Sequence, residues 1–406
     1  MARLLPLLLS AAFLLPLFAG TSLKAQPAAE ADADAGVIVD SSMLKLPEFD
    51  PQAPPEETLK TVEGLWQTRI DVETPTEANL LKVRVLEHII KGAEAIVGND
   101  KAEEEVALKA VQNKMEALGV LAQAGDPAAT QKAIAMARDL AEDKRPLLAR
   151  EGKLILLSSR LAELQTMDAK GRLAFVDDLM GLLKTAKISG REVQIASITA
   201  DILEQLGDLE AARSLYTQLA EEAAKADSPE TRARAEEFGG AARRLSLPGS
   251  EIKISGETLA GEKFDIKNHR GKVVLVQFWA SWCGYCLQEM PNIKQMYNTY
   301  HEDGFEVIGV NLDESAERAS AIVSDMKLPW PSLFSSDPTE QGMENPNATF
   351  YGIASIPQCI LVDREGKVVT LNARGEELTR QLERLFLENA PKTPETTETT
   401  PSDPAP

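Results

Sequence analysis

One stretch constrains this chain more than any other: an apolar run, then two cysteines two residues apart, then a helix-forming segment. Lys272 to Trp279 carries Val273, Val274, Leu275 and Val276 in succession, the pattern of a strand buried on both faces. Trp279-Ala280-Ser281-Trp282-Cys283-Gly284-Tyr285-Cys286 follows, and a helix is predicted from about Gly284. At a helix N-terminus, unpaired backbone N–H groups and the dipole favour negative charge. A thiolate at Cys283 should be stabilised there, and the thiolate is the species that attacks a disulfide. Cys286 lies one turn in, close enough to attack the resulting mixed disulfide and release the product. Two thiols at this spacing can perform both half-steps of exchange.

The spacing alone leaves other readings open. Zinc sites also use paired cysteines, but zinc needs two further ligands. The remaining candidates are Cys359, His88, His269 and His301, with no second paired motif, so no metal site is assigned. An inert structural disulfide between Cys283 and Cys286 is the other alternative. With three cysteines in 406 residues, the chain is no disulfide-stapled scaffold.

Forty-three Lys and Arg against 63 Asp and Glu give a net charge of -20. That field repels phosphate backbones, and no basic stripe interrupts it, so nucleic acid is not an expected partner. The N-terminus reads as an export signal over residues 1–25. Arg3 precedes a nearly unbroken apolar run from Leu4 to Phe18, and Ala25 is a plausible cleavage point. An uncleaved anchor is the alternative. No cysteine lies near the end of the run, which excludes a bacterial lipoprotein anchor. The folded part is expected outside the cytoplasm, in the periplasm or cell envelope.

Residues 26–58, rich in Ala, Asp, Pro and Glu, read as a flexible spacer. Residues 59–247 carry almost no strand signal and read as a helical domain, either a bundle or a short solenoid. Thr74-Pro75-Thr76-Glu77 supplies an N-cap, a first-turn Pro and a Glu three residues after the cap. Breaks are expected at Gly98-Asn99-Asp100, Gly125-Asp126-Pro127, Ser189-Gly190, Gly207-Asp208 and Asp227-Ser228-Pro229. Leu209, Ala212, Leu215, Tyr216 and Leu219 share one helix face. Leu203, Leu206, Gly207, Ala211, Tyr216 and Leu219 faintly resemble a tetratricopeptide-type hairpin, but the period does not recur cleanly.

Pro248-Gly249-Ser250 marks a change to strands alternating with helices, and a second domain is expected over 250–390. Ile252–Ser255 and Lys263–Ile266 read as a hairpin. Strands are expected at Phe305–Leu312, Gln358–Val362 and Lys367–Leu371, and helices at Glu314–Met326 and Glu376–Leu387. Residues 391–406 are mostly Pro, Thr, Glu and Asp, and disorder is expected there.

The strand, the Trp-Cys-x-x-Cys motif, Pro291 and the later Ser355-Ile356-Pro357 resemble thioredoxin-like proteins. The likeness is closest to exported disulfide reductases of the TlpA/ResA kind, through Trp282, Cys283, Cys286, Glu289 and Pro291. It covers about Ser250 to Leu387 and leaves the helical region unexplained. The resemblance implies a central mixed sheet flanked by helices, no cofactor, and disulfide-bearing or dithiol partner proteins, including a membrane electron donor. It makes Cys283 the nucleophile and Cys286 the resolving thiol, joined as a redox-active disulfide when oxidised. Pro357 matches the family's cis-proline, which would leave the backbone of Ile356 free to pair with an extended substrate. Glu289 is either a carboxylate that modulates the cysteines or a solvated acid favoured by the dipole. Trp282 is expected to shield the thiols and Trp279 to belong to the core. Gly284-Tyr285 departs from the Gly-Pro of thioredoxin, so the reduction potential cannot be borrowed. Cys359 reads as a small buried hydrophobe, with a third redox thiol as the sharper alternative.

The leading expectation is an exported thiol–disulfide oxidoreductase acting as a reductant. A peroxiredoxin-like thiol peroxidase is a second reading, although Ala280 and Ser281 stand where that family wants Thr. A non-enzymatic protein whose helical region binds a partner, with a passive redox module, is a third.

Overall fold

The computed structural model describes residues 38–39 and 46–387, apart from 51, 71, 73, 186, 187 and 189. The expected export signal over 1–25 and the tail over 391–406 lie outside the described residues. Among the described residues, no helix is long and apolar enough to cross a membrane.

The chain divides into two compact units between Ile202 and Leu203. The first is helical apart from a short parallel pair, β1 (Ile38–Val39) with β2 (Arg69–Ile70). Its helices are α1 (Pro55–Leu65), α2 (Pro75–Val97), α3 (Glu104–Gln123), α4 (Pro127–Ala141), α5 (Pro146–Arg160) and α6 (Ala169–Leu183), with most of α7 (Gly190–Gln205). Thr74 caps α2 by accepting from the Glu77 N–H at 3.3 Å, and Asp126 caps α4 by accepting from Ala128 N–H at 2.8 Å. These caps satisfy donors that a helix start leaves orphaned. Val62, Ile89, Ala93, Val111, Leu118 and Leu148 lie in one shared core.

Two features of this unit were not expected from the sequence. Of the flexible spacer expected over 26–58, residues 26–37, 40–45 and 51 lie outside the described residues; near its end α1 begins at Pro55, and the Phe49 ring stacks on His88 with centroids 4.7 Å apart. Gly92 leaves the room that Phe49 occupies on α2. One apolar anchor therefore overrides a locally polar composition. The break between α4 and α5, around Asp143-Lys144-Arg145, carries no glycine and was not expected; Asp143 forms it by accepting from Arg145 N–H at 2.8 Å.

The second unit opens with α8 (Leu209–Ala223), α9 (Pro229–Ala233) and α10 (Ala235–Leu245). Ala212, Leu215, Tyr216 and Leu219 of α8 are buried as the shared face predicts, while Leu209 is only partly covered. The remaining elements are β3 (Ser255–Glu257), β4 (Lys263–Asp265), β5 (Val273–Trp279), α11 (Gly284–Tyr300), β6 (Phe305–Asn311), α12 (Ala316–Asp325), β7 (Ser332–Leu333), α13 (Pro346–Phe350), β8 (Gln358–Val362), β9 (Val368–Thr370) and α14 (Gly375–Leu387). Five strands form one mixed sheet in the order β7-β6-β5-β8-β9. β5, β6 and β7 run parallel, with α11 and α12 as the crossovers; β8 is antiparallel to β5 and to β9. This is the thioredoxin-like architecture that the resemblance implied.

The compositional change at Pro248 and the division at Leu203 mark different things. The sheet domain begins after Pro248, but α10 packs directly on α13. A Cβ on Gly240 would lie 2.5 Å from the Gly352 backbone nitrogen. The hairpin forms with its first strand shifted: β3 starts at Ser255, while Ile252 and Ile254 are buried and the Ile254 carbonyl accepts from the Ile266 N–H at 3.0 Å just beyond β4. β7 was missed, being a two-residue edge strand.

Candidate active site

All seven residues of β5, the central strand, are buried, which holds its C-terminal end rigidly at one end of the sheet. Burying each large apolar side chain contributes roughly 1.5–3 kcal/mol. Alternate side chains face opposite sides of the sheet. Trp279, fully buried, donates through Nε1 to Ser332 Oγ at 3.3 Å. Its indole and the Ser332 side chain together fill the space that a side chain at Gly309 would need.

The chain then turns sharply. The Cys283 N–H donates to the Ala280 carbonyl at 3.1 Å, and α11 starts at the next residue. Cys283 is the N-cap of α11, and its Sγ accepts from the Cys286 N–H at 3.2 Å. The two sulfurs are joined as a disulfide. Cys283 is 6% exposed and Cys286 fully buried. Trp282 and Tyr285, which immediately precede Cys283 and Cys286, are 60% and 71% exposed. No atom crowds the position that a Cβ would take on Gly284.

Topology brings the later motif to the same place. β8 runs antiparallel to β5, and Gln358 pairs with Phe278. Pro357, just before Gln358, therefore lies at the disulfide end of the sheet, and the Ile356–Pro357 peptide is cis. Ile356 and Pro357 are both half-buried.

Glu289 lies one turn beyond Cys286, half-buried rather than solvated. Its Oε2 accepts from the Gly375 N–H at 3.1 Å, and its Oε1 is 3.6 Å from Arg374 Nη2. Arg374 arrives from the segment after β9, where the Ala373 N–H donates to the Cys359 carbonyl at 2.8 Å. Cys359 is a free, fully buried thiol. Burial pushes its pKa up to about 12; nearby Arg374 pulls it down and Glu289 pushes it up. The Cys359 thiol is thus neutral over the ordinary pH range, as expected of a small buried hydrophobe. Among the described residues, no group of His, Cys, Asp and Glu is arranged to hold a metal ion.

Two residues were not anticipated. Arg374 pairs with Glu289 across 85 positions of sequence, and nothing local signals it. Asp313 follows β6 by two residues, at the same end of the sheet as the disulfide. Both its oxygens accept hydrogen bonds from Ser281. Strand order could have placed Asp313 near the site, because parallel strands end together there, but its partner could not be read locally.

The sheet, the capped cystine and the cis-proline define a thioredoxin-like dithiol–disulfide protein. A family model for redoxins matches residues 247–385. A ResA thiol-disulfide oxidoreductase from Bacillus thuringiensis subsp. konkukian is 32% identical over 133 residues, covering 33% of this chain and 72% of the relative. A ResA from Halalkalibacterium halodurans is 30% identical over 147 residues, covering 36% of this chain and 78% of the relative. The thioredoxin domain of a Bacteroides vulgatus thiol-disulfide oxidoreductase is 32% identical, covering 34% of this chain and 97% of that one, with a TM-score of 0.31. The chain belongs to the ResA family of thiol-disulfide oxidoreductases.

Proposed function

We propose that this chain reduces disulfides of partner proteins outside the cytoplasm, using Cys283 as nucleophile and Cys286 as resolving thiol. The observation that carries the division of roles is the unequal placement of the two sulfurs. Cys283 sits at the N-cap and reaches the surface, whereas Cys286 is sealed inside the first turn. In the dithiol form, the Cys283 thiolate attacks a substrate disulfide and expels one substrate thiolate. Cys286 then attacks the mixed disulfide, expelling the second. Two electrons pass to the substrate, and the Cys283–Cys286 disulfide forms. A donor dithiol reverses this change; a membrane electron donor would supply it.

The helix N-terminus supports the first step by placing backbone N–H donors at the sulfur that carries charge. We assign proton handling to Glu289, one turn from Cys286, and pairing with an extended substrate to the backbone of Ile356 beside the cis Pro357. Trp282 and Tyr285 offer exposed aromatic surface around the sulfurs. Export rests on the apolar run from Leu4 to Phe18, and a recognition role for the helical region on its amphipathic faces.

The test is reduction of a protein disulfide by the purified, prereduced chain. One substrate disulfide should be lost per dithiol consumed, and Cys283→Ser should abolish the reaction. Full activity in Cys283→Ser would sink the assignment.

A further inference from the structure

We propose that Asp313 is a positioning residue for disulfide exchange, clamping the turn that holds Cys283 at the N-cap of α11. The proposal rests on the exchange chemistry above. Asp313 is 1% exposed. Its Oδ1 accepts from Ser281 Oγ at 2.6 Å, and its Oδ2 accepts from Ser281 N–H at 2.9 Å and from Asn311 Nδ2 at 2.7 Å. Asn311, also 1% exposed, returns the contact by accepting from the Asp313 N–H at 3.0 Å. Among the described residues, Asp313 forms no ion pair. A buried carboxyl group is costly unless hydrogen-bonded, and here the bonds go largely to one residue of the active-site turn.

The clamp matters when the disulfide opens. In the oxidised protein the S–S bond itself ties Cys283 to α11. Reduction by two glutathione molecules gives the dithiol and one glutathione disulfide, and the covalent tie is gone. Cys283 is then held by the Ala280–Cys283 turn, whose second residue, Ser281, is fixed by Asp313. Cys286 must return to sulfur on Cys283 to resolve a mixed disulfide. Displacement of about 1 Å can slow such a step by about 100-fold. Loss of the clamp should therefore weaken ring closure and lengthen the life of the mixed disulfide.

Three full-length variants test this, each titrated with reduced and oxidised glutathione. Asp313→Ala should shift the equilibrium about tenfold toward the dithiol and slow resolution of the glutathione mixed disulfide by at least tenfold. Asp313→Asn should recover most of both losses. Its carbonyl oxygen can accept from Ser281 N–H and Asn311, while its NH₂ donates to Ser281 Oγ. Ser281→Ala, which removes only the hydroxyl arm, should shift both quantities about threefold in the same direction and covers the case in which Asp313→Ala does not fold. Wild-type equilibrium and resolution in folded Asp313→Ala, or in Ser281→Ala, overturns the clamp. So does an equal loss in Asp313→Asn, which would put the effect on charge. Absence of any glutathione exchange in the wild-type protein refutes the exchange reading instead, and is read before the variants.

Discussion

Cys359 shows how burial decides the fate of a thiol. It shares a strand with the residues after the cis-proline, yet its pKa of about 12 keeps it protonated where exchange chemistry operates. In a Cys283→Ala, Cys286→Ala protein, a thiol reagent at pH 8 should label nothing in the native state and one thiol per chain in denaturant; native labelling contradicts the burial. The linkage has a definite sign. The native thiol keeps its proton between about pH 9 and 12 while the unfolded one loses it, so stability falls as pH rises through that window. Cys359→Ala should flatten that alkaline fall in a denaturant titration. Arg374 gives a second residue-scale test. Removing it leaves the Glu289 carboxyl one turn from Cys286 without its cation. A negative charge without compensation disfavours a nearby thiolate. Arg374→Gln should slow alkylation of the reduced dithiol at pH 7 by about twofold to tenfold, and Glu289→Gln should reverse the slowing. Equal rates in Arg374→Gln and wild type would show that the pair does not reach the dithiol. Cys283, Cys286 and Pro357 were legible in the sequence because contiguous motifs carry them. Arg374 and Asp313 were not, because each acts through a partner tens of residues away.

At the scale of elements, the central strand was legible from the apolar run Val273 to Val276, and the helix that follows it from the change of pattern at about Gly284. The shifted β3 and the missed β7 have a common cause. Both lie where tertiary contacts, not local alternation, decide pairing: Leu259 N–H donates to the Ser332 carbonyl, and Phe334 N–H to the Glu257 carbonyl. The α10–α13 contact is also invisible locally, since the residues it brings together, Gly240 and Gly352, are far apart in sequence. Gly240 in fact allows the α10 backbone to meet the Gly352 backbone. Gly240→Ala should destabilise the second unit by about 1–3 kcal/mol, because the new methyl has only backbone to displace. A denaturant midpoint equal to wild type would show that the two elements can separate without cost.

For the whole molecule, the sheet domain accounts for about the region matched by the redoxin family, but its compact unit starts earlier, at Leu203. Arg244 of α10 pairs with Glu204 within the helices before Pro248, and α10 joins them to the sheet domain through Gly240 against the Gly352 backbone and the Arg243 guanidinium over the Phe350 ring at 4.2 Å. A fragment beginning at Ser250 should therefore melt at least about 5 °C below one beginning at Leu203. Matching melting temperatures would mean that α8 to α10 add nothing to the sheet domain.

The division of labour between the two cysteines is tested most directly by trapping. Prereduced Cys286→Ser and Cys283→Ser proteins are each mixed with a disulfide-bearing protein, and the covalent adducts are mapped by mass spectrometry. Cys286→Ser should hold the substrate as a stable mixed disulfide on Cys283, whereas Cys283→Ser should hold almost none. Stable capture on Cys286 in the Cys283→Ser protein, with none on Cys283, would contradict the account.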